Sequence, residues 1–326
     1  MIGFIVRRLL QMVPLLLGVT FLTFAIVNFV PGSPVSTMQL NPKARPEDIE
    51  RITQNLGLDK PWYERYLNWL GDLLRGDMGL SLTNYTPVTD RILGVLPNTL
   101  LLTCTSLALA LLIAVPLGVI SAVKHNSWFD QIATVIVTAL AAIPSFWMGL
   151  LLIILFAVKF KDWGLPYLPA SGMQDMRSAG GIADRIEHLI LPASALAIVQ
   201  IAGWTRFIRA SMLETIGQDY IRTAQAKGLP ARAVMYGHAF RNALLPLVTL
   251  VGLALPEVFG GAYLIEQIFA WNGLGRLTLN ATQSNDYTLI MGATLFFAFL
   301  TMFGNLLADI LYSIADPRIS AGRARR

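Results

Sequence analysis

Asp219-Tyr220-Ile221-Arg222-Thr223-Ala224-Gln225-Ala226-Lys227-Gly228-Leu229-Pro230 is a charged island between long apolar runs. Ahead of it, Trp204, Phe207, Ile208, Met212, Leu213 and Ile216 recur at spacings of three and four, the period of one helix face. A helix is therefore expected to leave the preceding apolar run, continue through polar surroundings and end near Gly217. A second, short helix starts at Asp219, whose carboxylate suits the positive end of a helix dipole. Gly228 and Pro230 stop it, Gly228 at a point where a left-handed or tightly turned backbone is expected. A rigid two-turn helix held between two apolar segments is a lever, because force on it moves both neighbours together.

The solvent of those apolar segments follows from composition. Of 326 residues, 55% are hydrophobic and 14% charged, and the mean hydropathy is +0.57. Soluble globular domains carry about 25% charged residues, so this chain is read as an all-α membrane protein. A span needs about 20 mostly apolar residues to cross about 30 Å of hydrocarbon. Six stretches qualify: 9–30, 99–122, 131–158, 188–207, 243–265 and 287–314. The first is too long for the apolar core of a cleaved signal peptide and stops at Pro31-Gly32-Ser33-Pro34. Between the first two spans, residues 31–97 are polar. Within them, Ile49, Ile52, Leu56, Tyr63, Tyr66, Leu67 and Leu70 predict short amphipathic helices lying on the membrane or on other loops.

Orientation is read from Lys and Arg near the span ends. Arg7 and Arg8, Lys124, the group Arg206, Arg209, Arg222, Lys227, Arg232 and Arg241, and the closing Arg318, Arg323, Arg325 and Arg326 all fall on one side. In 31–97 the basic residues are balanced by acidic ones. Both termini and the 206–241 loop are thus expected in the cytoplasm, with 31–97 outside. Lys159 and Lys161 depart from the rule, next to an interface-type Trp163.

Chemistry-bearing residues are few. Cys104 has no second cysteine to pair with and is read as a small buried hydrophobe, and His125, His188 and His238 lack ligand spacing, so no metal site is expected. There is no phosphate-loop, Gly-x-Ser-x-Gly or His-Glu-x-x-His motif, and no catalytic residue is assigned. Glu257, between Pro256 and Gly260-Gly261, sits well inside the fifth span. A carboxylate there is costly. It is read either as lining a translocation path, with Gln200, or as a structural hydrogen-bond partner of Gln200 or of another subunit. Glu266, nearer the outer end, is assigned a loop-ordering or interface role. Pro116, Pro144, Pro192 and Pro246 are expected to kink or interrupt helices.

The island, with His238-Ala239-Phe240-Arg241-Asn242-Ala243-Leu244-Leu245-Pro246 after it, resembles the cytoplasmic loop of binding-protein-dependent ABC importer permeases of the dipeptide, oligopeptide, glutathione and nickel branch. Counting back from Gly228 puts Arg222, Thr223 and Ala224 at that family's Glu-Ala-Ala positions; the glutamate is absent. Arg7-Arg8-Leu9-Leu10, Leu56-Gly57-Leu58-Asp59-Lys60-Pro61, Gly76-Asp77-Met78-Gly79-Leu80-Ser81 and Asn285-Asp286-Tyr287 are similar to other stretches of the family. So are Glu266-Gln267-Ile268-Phe269-Ala270-Trp271-Asn272-Gly273-Leu274-Gly275-Arg276, with Asn272 where Pro is usual, and Asp316-Pro317-Arg318-Ile319.

The resemblance implies a type I ABC importer transmembrane domain, residues 1–326 forming one inner-membrane permease domain. It implies a homologous second permease, two ATPase subunits carrying ATP and Mg, and an extracytoplasmic substrate-binding protein. Asp219, Tyr220, Arg222, Thr223, Ala224, Ala226, Lys227 and Gly228 would dock in the ATPase. Peptides are the favoured substrate, with nickel or glutathione import as the alternative. An ATPase-independent secondary transporter would show two inverted repeats, which the sequence lacks.

Overall fold

The computed structural model describes residues 2–29, 60–175, 180–243 and 245–315. In chain order the helices are α1 (Ile2–Phe29), α2 (Trp62–Leu74), α3 (Val88–Val123), α4 (Trp128–Ala141), α5 (Ser145–Asp162), α6 (Ile182–Ile216), α7 (Asp219–Ala226), α8 (Phe240–Ala243), α9 (Leu245–Ile268), α10 (Leu274–Gln283) and α11 (Tyr287–Ala315). Two stretches wind as wide π turns, Ile153–Lys159 inside α5 and Ala233–Ala239 leading into α8. Among the described residues the extended pairing is one isolated bridge, Leu80 with Pro87. Helix is what a chain in hydrocarbon must form, since it satisfies backbone N–H and C=O groups within one segment.

Among the described residues, four helices are long and apolar enough to cross a membrane: α3, α6, Ile5–Val27 of α1 and Tyr287–Ile310 of α11. At 24 residues α9 rises about 36 Å, also enough to cross. The stretch 131–158 departs from the expected continuous span. It is divided between α4 and α5, which meet at 104°. The cause is local. Pro144 disfavours helical backbone at Ile143, and α4 closes with bonds that reach back three residues rather than four, from Ala142 N–H to the Ala139 carbonyl and from Ile143 N–H to the Leu140 carbonyl. Pro144 then starts α5 with φ −58° and ψ 143°. α4 alone, 14 residues rising about 21 Å, is too short to span.

The helices divide between two compact units, Met1–Pro97 with Gly273–Met302, and Asn98–Asn272 with Phe303–Arg326. In the first, α2 is the amphipathic helix expected after α1. Its Trp62, Tyr66 and Trp69 pack on Phe21 and Phe24 of α1, and the Tyr66 hydroxyl lies 3.0 Å from Thr20 Oγ1. The remaining expectations for 31–59 and the closing motif 316–319 lie outside the described residues.

The first unit also joins two of the quoted motifs. Asp286 is fully buried just before α11 and accepts from the Ser81 hydroxyl, from Leu82 N–H at 3.0 Å and from Thr83 N–H at 3.4 Å. It also caps the first turn of α11 by accepting from Leu289 N–H at 3.2 Å. Arg91 donates to Ser81 Oγ at 2.8 Å and lies 3.7 Å from the carboxylate. Burial pushes the Asp286 carboxyl up, but the hydrogen bonds from Ser81, Leu82, Leu289 and Thr83 outweigh it and hold the group below its ordinary value. Its stabilisation is therefore complete above the unfolded value, about pH 4, and is lost as pH falls through the lower folded value.

In the second unit α3 and α6 approach very closely. A Cβ on Gly118 would stand 2.8 Å from Ile208 Cβ and 2.9 Å from the Thr205 carbonyl oxygen. Small buried residues line α6 in the same spirit: Ala193, Ala195, Ala197 and Ala202. Cys104, expected to be buried, is instead exposed on α3. A membrane span presents apolar residues outward as well as inward, so hydrophobicity alone does not bury a side chain there.

Asp286→Asn should remove the charge from the acceptor set and loosen the 80–87 loop by roughly 2 kcal/mol, the scale of hydrogen bonds to a charged group. Hydrogen exchange at the Leu82 and Thr83 amides, corrected for its intrinsic pH dependence, should quicken in the variant, and in the parent protein as pH falls through the lowered Asp286 value.

Candidate coupling site

The 35 residues of α6 rise about 52 Å, well beyond the hydrocarbon thickness, so one end of the helix must project past it. The chain leaves at Gly217, as the sequence predicts, and turns into α7. This eight-residue helix ends by a double closure: Gly228 N–H donates to the Gln225 carbonyl at 2.9 Å and Leu229 N–H to the Ala224 carbonyl at 3.4 Å. Such a closure needs a left-handed residue, and Gly228 has φ +78°.

Three residues apart, Ile221 and Ala224 share one face of α7 and are buried at 1% and 8% exposure. They enter a cluster with Ile208 and Met212 of α6, Val234 and Ala239 of the π turn, and Ala243 of α8. The opposite face carries Asp219, Tyr220, Arg222, Thr223, Ala226 and Lys227, all exposed, with Gly228 exposed at its end. Of the residues expected to make contact, Ala224 thus points inward and serves as part of the seat. Two hydrogen bonds fasten the edges: Asn242 Nδ2 donates to Tyr220 Oη at 3.0 Å, and Ser211 Oγ to the Ala243 carbonyl at 3.0 Å. The Asp219–Arg222 pair, 3.7 Å apart and largely solvated, adds little.

Beside this seat is a charged cluster that no motif announced. Both nitrogens of the Arg209 fork reach Asp130, Nε to Oδ1 at 2.6 Å and Nη2 to Oδ2 at 2.7 Å. Asp130 lies in the first turn of α4, buried at 2% exposure, and His125 Nδ1 stands 3.1 Å from Arg209 Nη2. One signal was available in the sequence: a lone carboxylate at the mouth of an apolar run, on the side where the basic residues gather.

Gln200 sits on α6, and its buried side-chain oxygen has no hydrogen-bond partner among the described residues. Glu257 is in α9, and its side chain lies outside the described residues. The two helices pack together through Ala197, Ile201, Leu247 and Ala254. Glu266 is fully buried and accepts from Thr99 Oγ1 at 2.7 Å. Nearby, Trp271 Nε1 donates to the Asn98 carbonyl at 2.9 Å, and Asn98 Nδ2 to the Asn272 carbonyl at 2.7 Å. The string after Glu266 is thereby ordered against the start of the second-unit part of α3.

A helical chain with several long apolar helices, and a short helix seated on the projecting end of one of them, is the construction of a multi-pass membrane protein. The chain belongs to the family described as "Binding-protein-dependent transport system inner membrane component", which residues 114–321 match. Residues 1–103 match "Binding-prot-dependent transport system membrane comp, N-term". Among relatives, it is 45% identical to the oligopeptide transport system permease protein AppB of Bacillus subtilis, over 98% of this chain and 99% of that one. It is 38% identical to the dipeptide transport system permease protein DppB of Escherichia coli, again over 98% and 99%. A crystal structure of an amino acid ABC transporter with histidines has a similar fold, with a TM-score of 0.52 at 14% identity, covering 69% of this chain and 94% of that one. The protein is therefore a multi-pass inner-membrane component of an ABC importer with the type I transmembrane fold. Transport of this family depends on a substrate-binding protein and on ATPase partners.

Ile221→Ala should unseat α7, since truncating a buried Ile costs roughly 2–4 kcal/mol. Amide exchange over 221–229 should rise by about tenfold or more. Ala226→Ser, on the exposed face, should leave it unchanged.

Proposed function

We propose that this chain is the permease subunit through which an ATP-driven importer passes peptides. The observation that carries the reading is full-length similarity, at 45% and 38% identity, to proteins named as oligopeptide and dipeptide permeases. The chain pairs with a homologous second permease and two ATPase subunits, which bind ATP and Mg and carry out the hydrolysis. An extracytoplasmic binding protein delivers the peptide. Residues 1–326 act as one permease domain with both termini in the cytoplasm, 31–97 outside and 206–241 inside, as the Lys/Arg asymmetry supports.

The exposed face of α7, formed by Asp219, Tyr220, Arg222, Thr223, Ala226 and Lys227, enters the ATPase, with Gly228 setting the end of the helix. Ile221 and Ala224 hold α7 to α6, so closure of the ATPases displaces α6 and its neighbours and opens the path alternately to each side. Glu257 and Gln200, on packed helices, line that path. Glu257 offers a counter-charge to a peptide amino terminus.

Three outcomes test this. In a Cys104→Ala background, Thr83→Cys should react with an impermeant reagent in intact cells and Lys227→Cys should not; labelling of both refutes the orientation. Gly228→Val places a β-branched residue at φ +78°, a strain on the order of 1 kcal/mol or more. It should leave the subunit in the membrane while abolishing stimulation of ATP hydrolysis by peptide-loaded binding protein. Glu257→Gln should keep assembly and ATPase activity but shift uptake away from peptides with a free amino terminus. Unaltered stimulation in Gly228→Val removes α7 from the coupling role.

A further inference from the structure

The Asp130–Arg209 pair does more than neutralise a buried charge. Asp130 has both oxygens engaged: Oδ1 by Arg209 Nε, and Oδ2 by Arg209 Nη2 and by Asn126 N–H at 3.0 Å. The preceding turn is fixed as well, since Ser127 Oγ caps α4 by accepting from Asp130 N–H at 3.3 Å. His125 Nδ1 accepts from Arg209 on the open side of the fork. The start of α4 is thus pinned to α6 by two parallel bonds, which fix angle as well as distance; a single point charge would fix distance only.

The place of attachment matters. Arg209 lies between Ile208 and Met212, and those two residues help to form the seat of Ile221 and Ala224. The same short stretch of α6 therefore carries both the seat of α7 and the tie to α4. From Asp130, α4 leads to the bend before Pro144. Beyond it, α5 packs so closely on Phe269 that a Cβ on Gly149 would stand 3.1 Å from the ring. Holding two helices together could be done by apolar side chains without the desolvation cost of a buried carboxylate. What the fork adds is orientation.

We propose that Asp130 and Arg209 are positioning residues of the coupling apparatus: they make α4, the projecting end of α6 and α7 move as one body, so that displacement of α7 is handed to the bent pair α4–α5. The inference rests on the reading of α7 as the ATPase contact. Spin labels in the assembled, reconstituted importer (Cys104→Ala) test it. Thr138→Cys with Gln225→Cys reports α4 against α7, and Thr83→Cys with Gln225→Cys reports α7 against the first unit. Between the nucleotide-free state and the state locked by a non-hydrolysable ATP analogue, the 138–225 distance should stay constant while the 83–225 distance changes. In Arg209→Lys, which keeps charge but loses the fork, the 138–225 distribution should broaden and shift on analogue binding. Stimulation by loaded binding protein should fall about tenfold with basal ATPase activity retained.

A 138–225 distance that changes in the parent protein overturns the proposal. So does an Arg209→Lys variant that matches the parent, or one whose assembly and basal activity fall in proportion to stimulated activity. An 83–225 distance that stays fixed would instead remove α7 as a moving part and take both readings with it.

Discussion

The structure of the second unit depends on the packing of α6. A helix of 35 residues has to be a membrane span and a projecting strut at once. It can be both only if neighbours come close enough to hold it along its length. Small side chains allow this in the apolar part, where lipid tails compete on equal terms with any large apolar residue and van der Waals fit decides association. The contact of Gly118 with Ile208 is the tightest expression of that rule on α3. Past that point the means change: the Arg209 fork and the burial of Ile221 and Met212 hold the strut where α7 meets it.

The two ends of the unit are built from different materials. Near α7 an apolar seat is framed by a few polar bonds, and the outer face is left charged and solvated. Around Glu266, aromatic and polar groups interlock: Trp271 and Phe269 are fully buried, while Asn98 serves both backbone and side-chain partners. Arg185 completes that arrangement by donating to Asn98 Oδ1 at 2.8 Å. A buried carboxylate such as Glu266 is tolerable because its hydroxyl partner is fixed on a neighbouring helix.

Much of this architecture was legible in the sequence, for identifiable reasons. Hydrophobic runs and the three–four period located α1, α3, α6 and α11, and the Asp219 and Gly228 signals bounded α7 correctly. Those features arise within a few residues of chain. The break at Pro144 was legible as a possibility, but its 104° angle depends on what α4 and α5 pack against. The inward turn of Ala224 required knowing where the apolar face of α7 would dock. Asp130 with Arg209, and Ser81 with Asp286, join residues 79 and 205 positions apart, and neither pair has a local pattern to declare it. The exposure of Cys104 reverses a rule learned in water, where apolar residues retreat from the surface.

The two π turns carry a consequence for how the chain tolerates length changes. In each, a backbone N–H reaches back five residues, Phe160 to the Leu155 carbonyl and Phe240 to the Met235 carbonyl. A turn of that kind holds one residue more than the α-helical turn it interrupts, and rotates everything after it by about 100° relative to an unbroken helix. Loss of a single residue there would relax the backbone into ordinary α-helix and leave the downstream face where it is, whereas loss of one elsewhere in the helix would turn that face by about 100°. At the second turn that face is the one by which Ala243 of α8 enters the seat of α7 and meets the Ser211 hydroxyl. The wide turn ahead of α8 therefore works as a phase setting, deciding which side of α8 meets α6.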